Sequence, residues 1–173
     1  HSFEPVPMYF KKLNEMSQNN KNYNIYVNNF ALGKKSGKIQ ININKDLIGA
    51  NTIVSGLLNS NIIKETIDVN IKRLDEYISE KKIKNISLIK IDVEGYELPL
   101  LKGCTRFFEN NKNLLPPMIV EITPAAYSLL GSKLEDLDNL LSKFNYKAYS
   151  TDEKYRIDIK NLEQLTDVLF KQE

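Results

Sequence analysis

Residues 88–103 read LIKIDVEGYELPLLKG and set Asp92, Glu94 and Glu97 around Gly95. Three carboxylates this close repel one another unless water or a cationic partner matches them. Such groups accept protons as general bases, or hold a cation. They end an almost unbroken apolar run, which reads as a buried strand. In open α/β sheets, ligands bind at the carboxyl ends of the strands. The same spacing suits a plainer role, in which Asp92 and Glu94 cap the helix that follows, whose N-terminus favours negative charge. Spacing alone leaves the two readings level.

Few other side chains offer catalytic chemistry. The only histidine is His1 and the only cysteine is Cys104. Histidine triads, multi-histidine metal sites and cysteine zinc clusters are therefore excluded. Acids and water could hold a divalent cation, but these acids lack the pattern of a metal-binding loop, and no metal is expected. A lone cysteine forms no internal disulfide; this fits a reducing compartment, so a cytoplasmic location is expected. No apolar run approaches the roughly 18 residues of a membrane helix, and residues 1–30 do not have the pattern of a signal peptide, so none is expected. Lys and Arg total 24 against 22 Asp and Glu, a formal charge of +2. The lysines sit singly or in pairs, a solvated surface rather than a stripe for nucleic acid.

The elements that must position these acids follow from periodicity. At 173 residues, 42% of them hydrophobic, the chain is the size of one domain with a real core. His1 to Pro5 reads as the end of a strand, and Pro7 opens a helix over 7–17. Residues 23–32 are β-rich and predict a strand. A turn over 33–37 leads to a strand over 38–44, where Ile39, Ile41 and Ile43 share one face. Residues 46–61 read as an irregular connection. A strand over 65–71, a helix over 74–82, a strand over 86–93 and a helix over 98–110 follow. Residues 118–122 (MIVEI) predict a buried strand, and 133–144 a helix with a leucine face. Residues 146–150, 155–159 and 168–171 look like closing strands. Such alternation predicts a mostly parallel α/β sheet in one domain, with the 86–93 and 118–122 strands adjacent and central.

The block IKIDVEGYE followed by LLKG closely resembles the signature of the FkbM methyltransferase family. Other pieces agree in order: Phe3-Glu4-Pro5, Asn29-Phe30-Ala31-Leu32-Gly33, Arg73-Leu74-Asp75 and Ile119-Val120-Glu121-Ile122. The resemblance spans essentially all 173 residues. It implies a Rossmann-like class I methyltransferase fold and S-adenosylmethionine as methyl donor. Glu4 then falls where an acid accepts hydrogen bonds from ribose hydroxyls. Asn29, Phe30 and Ala31 fall beside the adenine, with core packing an equal reading for Phe30. Asp92, Glu94 and Glu121 become the candidates for general base, and Asp92 is also a candidate for holding the donor's ammonium group. The implied acceptor is a hydroxyl of a sugar, glycan or small metabolite.

One part of the family pattern is missing. The glycine turn of such sites normally lies about 20 residues before the ribose-binding acid. Here only three residues precede Glu4, and none of the seven glycines forms a G-x-G. The expectation is an N-terminally incomplete fold, the C-terminal part of a longer domain, with the first strand and helix absent and open strand edges beside the gap. Two alternatives differ in class. A non-catalytic fragment or decayed methyltransferase-fold binding module would explain the missing turn. A nucleotide- or sugar-nucleotide-handling enzyme would share the acidic sheet edge, but no phosphate-binding loop supports it.

Overall fold

The computed structural model describes residues 1–47 and 49–173. Strand β1 (Ser2–Phe3) leads into helix α1 (Pro7–Asn19), where Pro7 takes a first-turn position that needs no N–H. Strands β2 (Val27–Asn28), β3 (Ala31–Leu32), β4 (Gly37–Asn44) and β5 (Ile63–Lys72) follow. Next come α2 (Leu74–Glu80), β6 (Ile89–Ile91), α3 (Glu97–Lys102) and α4 (Thr105–Asn110). The rest is β7 (Met118–Ile122), α5 (Pro124–Leu129), α6 (Leu134–Ser142), β8 (Tyr146–Tyr149) and β9 (Thr166–Gln172).

The strands form three sheets, in the orders β1-β2, β3-β5-β4 and β6-β7-β9-β8. The pairs β1–β2, β3–β5 and β6–β7 are parallel, and the other three are antiparallel. The result is a mixed α/β fold. β6 and β7 are neighbours as expected, with Ile91 opposite Val120. On β7, Met118, Val120 and Ile122 are fully buried while Ile119 and Glu121 are partly exposed. That is the period-two alternation of a strand with one face on the core.

The larger core gathers Ile91, Leu101, Phe108, Val120, Leu137 and Phe170 from strands and helices far apart in sequence. A smaller one joins Val6 and Ala31 to Ile41, Ile43, Val69 and Ile71, the inward faces of β4 and β5. Helix α6 begins where the Asp136 carboxylate accepts the Lys133 N–H at 2.8 Å, and it buries Leu137 and Leu141.

Several elements depart from the periodicity. The expected strand over 23–32 splits into β2 and β3, which belong to different sheets. At the step between them, the Asn29 amide donates to the Glu4 and Pro5 carbonyls at 2.9 and 3.1 Å. The expected helix over 98–110 breaks at Gly103, where a Cβ would lie 2.1 Å from the Gly33 carbonyl oxygen, so two backbones meet. The Gly103 carbonyl accepts instead from the Asp75 N–H at 3.2 Å. Residues 155–159 form no strand; Arg156 makes a single bridge to Tyr149, and a 3-10 turn starts at Ile159. The irregular connection over 46–61 is reproduced where it is described, with Thr52 bridging Asn42; Ile48 lies outside the described residues. α5 was not legible, being a single turn and a half after Pro124.

β7 is central, but β6 is an edge strand among the described residues, as is β1. Both line one cleft of about 910 Å³. Parallel pairing alternates the direction of backbone groups. Ser2 and Glu4 donate toward β2, and Ile89 donates toward Pro117. The backbone groups of Phe3 and Lys90 therefore turn away from β2 and β7, toward the open edges.

Candidate functional site

Asp92 follows directly on β6, and the chain then reverses through Glu94 and Gly95, at φ of +47° and +97°. Only glycine suits the second position. A Cβ on Gly95 would come within 2.5 Å of the Ala126 Cβ on α5. The turn is held from two sides. Glu97 Oε1 accepts the Gly95 N–H at 2.8 Å. The buried Thr52 hydroxyl donates to the Glu94 carbonyl at 2.6 Å. These contacts aim the side chains out of the turn.

Glu121 arrives from β7, on the face opposite its buried neighbours. One oxygen each from Asp92, Glu94 and Glu121 lies within 4.8 Å of the others. The three stand at the carboxyl ends of two parallel strands. Burial pushes the Glu94 carboxyl above its ordinary range, with Asp92 adding to the shift. Burial also raises Glu121, with Asp92 and Glu94 reinforcing it, Lys90 opposing it and Asp167 adding to it. Lys90 is itself paired with Asp167 at 2.6 Å. The donor set is one a hard divalent cation accepts, and equally a set of general bases.

Glu4 lies across the cleft from this edge, at the start of α1. Its Oε1 accepts the Val6 N–H at 2.7 Å, and burial raises its pKa while that bond lowers it. Glu4, Ala31, Asp92 and Glu94 line the same cleft. Asn29, Phe30 and Glu121 do not. The Asn29 amide nitrogen is engaged with the Glu4 and Pro5 carbonyls. Phe30 packs against Phe3 and Tyr77, with ring centroids 5.5 and 5.8 Å away, and the Lys72 ammonium lies 5.5 Å from its ring. Ala31 is buried in the smaller core behind the cleft.

A model of the FkbM methyltransferase domain matches residues 1–148. The chain belongs to the FkbM methyltransferase family. Among relatives, it is 23% identical over 153 residues to a protein of Beauveria bassiana (strain ARSEF 2860) called Methyltransferase 1. That alignment covers 76% of this chain and 60% of the relative. The fold is similar to the crystal structure of a methyltransferase FkbM from Methylobacillus flagellatus KT, at a TM-score of 0.52 and 18% identity. The match covers 97% of this chain and 35% of that one. This FkbM chain thus spans about a third of the one and less than two thirds of the other.

Sequence reasoning did not single out Tyr9, Asn51, Ile53 and Tyr96, which also line the cleft of this FkbM domain. Nothing in their spacing marks them. Glu97 was legible as one of the three acids around Gly95 but not as a buried brace of the turn, and Thr52 was not legible at all, because its bond to Glu94 joins two segments far apart in sequence. Among the described residues, no helix is long and apolar enough to cross a membrane.

Proposed function

We propose that this chain carries the ribose-binding and acceptor side of an S-adenosylmethionine-dependent O-methyltransferase site, acting on a hydroxyl of a sugar, glycan or small metabolite. The observation that carries the reading is the convergence of Asp92, Glu94 and Glu121, the first two of which line the cleft that Glu4 also lines. The cleft's volume falls in the range of small-molecule sites. S-adenosylmethionine supplies a methyl group on a cationic sulfonium. Glu4 holds the ribose hydroxyls through its carboxylate. Ala31 leaves room for an apolar ligand face, and Asn29 fixes the chain that carries Glu4. Asp92 holds the ammonium group or joins Glu94 and Glu121 as proton acceptor for the acceptor hydroxyl. The raised affinity of Glu94 and Glu121 for protons brings them nearer the operating pH of a general base. Such an acidic edge also favours a cationic ligand.

The open edges of β1 and β6 support a second part of the proposal: residues 1–173 form the C-terminal part of a longer domain, and a glycine turn from outside them completes the donor site. Backbone approach to the donor needs such a turn. The alternative, a decayed methyltransferase-fold binding module, shares the open edges but needs no donor. The test is a titration with labelled S-adenosylmethionine of the 173-residue chain and of a chain extended N-terminally by the parent gene's coding sequence. Binding and turnover only by the extended chain support the proposal. Tight binding by the 173 residues alone rejects the missing-turn argument, and no binding by either favours the decayed module.

A further inference from the structure

Beneath the acidic edge lies a carboxyl group that the proposed chemistry leaves unused. Glu97 opens α3 and is completely buried. One of its oxygens grips the Gly95 N–H, and the other, Oε2, has no hydrogen-bond partner. The Tyr127 hydroxyl on α5 is also buried and also without a partner. The two groups are close enough that Glu97, after burial itself, raises the affinity of Tyr127 for its proton through its charge and its contact with the hydroxyl, and neither atom closes a well-formed hydrogen bond. Buried polar atoms are nearly always paired. Two orphans side by side form a site for a shared proton.

We propose that Glu97 is a positioning residue for the acidic edge: braced by Tyr127, its carboxyl group fixes the turn that aims Asp92 and Glu94 at Glu121, and its proton is coupled to the charge on that edge. The charged and titratable groups around it are Glu94 in the turn, Glu121 on β7 and Tyr127 on α5. Burial pushes Glu97 up to about 7, and Glu121 and Glu94 add to the shift. A carboxylate formed there adds a further negative charge behind Glu94 and Glu121. The neutral acid keeps the Gly95 bond through its carbonyl oxygen and offers its hydroxyl to Tyr127. Calling the edge an acceptor site rests on the proposed function; the coupling itself does not.

The experiment is amide and carboxyl NMR of the folded chain across pH 5–9. The Gly95 amide is expected to shift with an inflection near the Glu97 value of about 7. In Glu97→Gln, which keeps the shape and the Gly95 acceptor, the inflection should vanish with the amide near its low-pH position. In Tyr127→Phe it should move to higher pH, because the free carboxylate oxygen loses the neighbouring hydroxyl that could donate to it. No inflection in the parent chain, or one that persists in Glu97→Gln, overturns the proposal, as does an unmoved inflection in Tyr127→Phe. These readouts need no methyl transfer. A failure of S-adenosylmethionine binding would therefore count against the proposed function and leave this inference to the titration.

Discussion

The Thr52 hydroxyl donates to the Glu94 carbonyl oxygen at 2.6 Å and accepts the Val54 N–H at 3.0 Å. One buried side chain thus ties the β4–β5 connection to the acidic turn. Thr52→Val keeps the volume and removes both bonds. The loss should be about 1–2 kcal/mol of stability, since a buried carbonyl is left short of a donor. Urea unfolding checks this, and an unchanged midpoint would show that the turn does not depend on Thr52.

Gly95 meets two constraints at once. Its φ of +97° disfavours any side chain, and a Cβ would lie 2.5 Å from that of Ala126. Gly95→Ala should therefore destabilise by more than the roughly 1 kcal/mol of a conformational penalty alone, about 2–4 kcal/mol once the clash is included. Gly131 also has positive φ, at +63°, but open space around it. Gly131→Ala should cost only about 1 kcal/mol. Paired thermal melts separate the two, and equal losses would remove the close-packing argument.

Glu97 makes stability depend on pH. Its pKa rises from 4.5 in the unfolded chain to about 7 on folding. The folded state therefore holds the proton more tightly, and stability falls as pH rises from 4.5 to 7. Above that window the penalty stays constant. Glu97→Gln cannot ionise, so its stability relative to the parent should climb across the window by on the order of 3 kcal/mol. Denaturant curves at pH 5 and pH 8 test the sign. A variant that loses ground as pH rises would mean that Glu97 is ionised and stabilising.

Glu4 offers a binding prediction that depends on the proposed function. In a protein of this sequence that binds S-adenosylmethionine, Glu4→Ala should remove charge-assisted hydrogen bonds worth about 1.5–3 kcal/mol. The dissociation constant should rise by roughly one to two decades. Calorimetry measures it directly, and an unchanged affinity takes Glu4 out of the site. The variant also loses the bond to the Val6 N–H, so a melt must accompany the titration.

Strand β7, the alternating face of β4, helix α6 and the placement of Asp92 and Glu94 just after a strand were all legible in the sequence, whereas that strand, β6, is among the described residues a short edge strand of which only Ile91 is buried. Each rests on local periodicity: period two buries Met118, Val120 and Ile122, and helical spacing buries Leu137 and Leu141. The family was legible too, because its most specific block is contiguous. Tertiary structure decided the rest. Whether residues 23–32 make one strand or two depends on which partner each half pairs with, and β2 joins β1 while β3 joins β5. The break at Gly103 exists because the Gly33 backbone passes there. Glu121 meets Asp92 and Glu94 only because β6 and β7 lie side by side in register. The burial of Glu97 against Tyr127 likewise follows from how α5 packs on the acidic turn. Side-chain types fix what chemistry is possible, but burial and charge proximity arise from non-local packing, and those set which carboxylates share a site and which hold their protons.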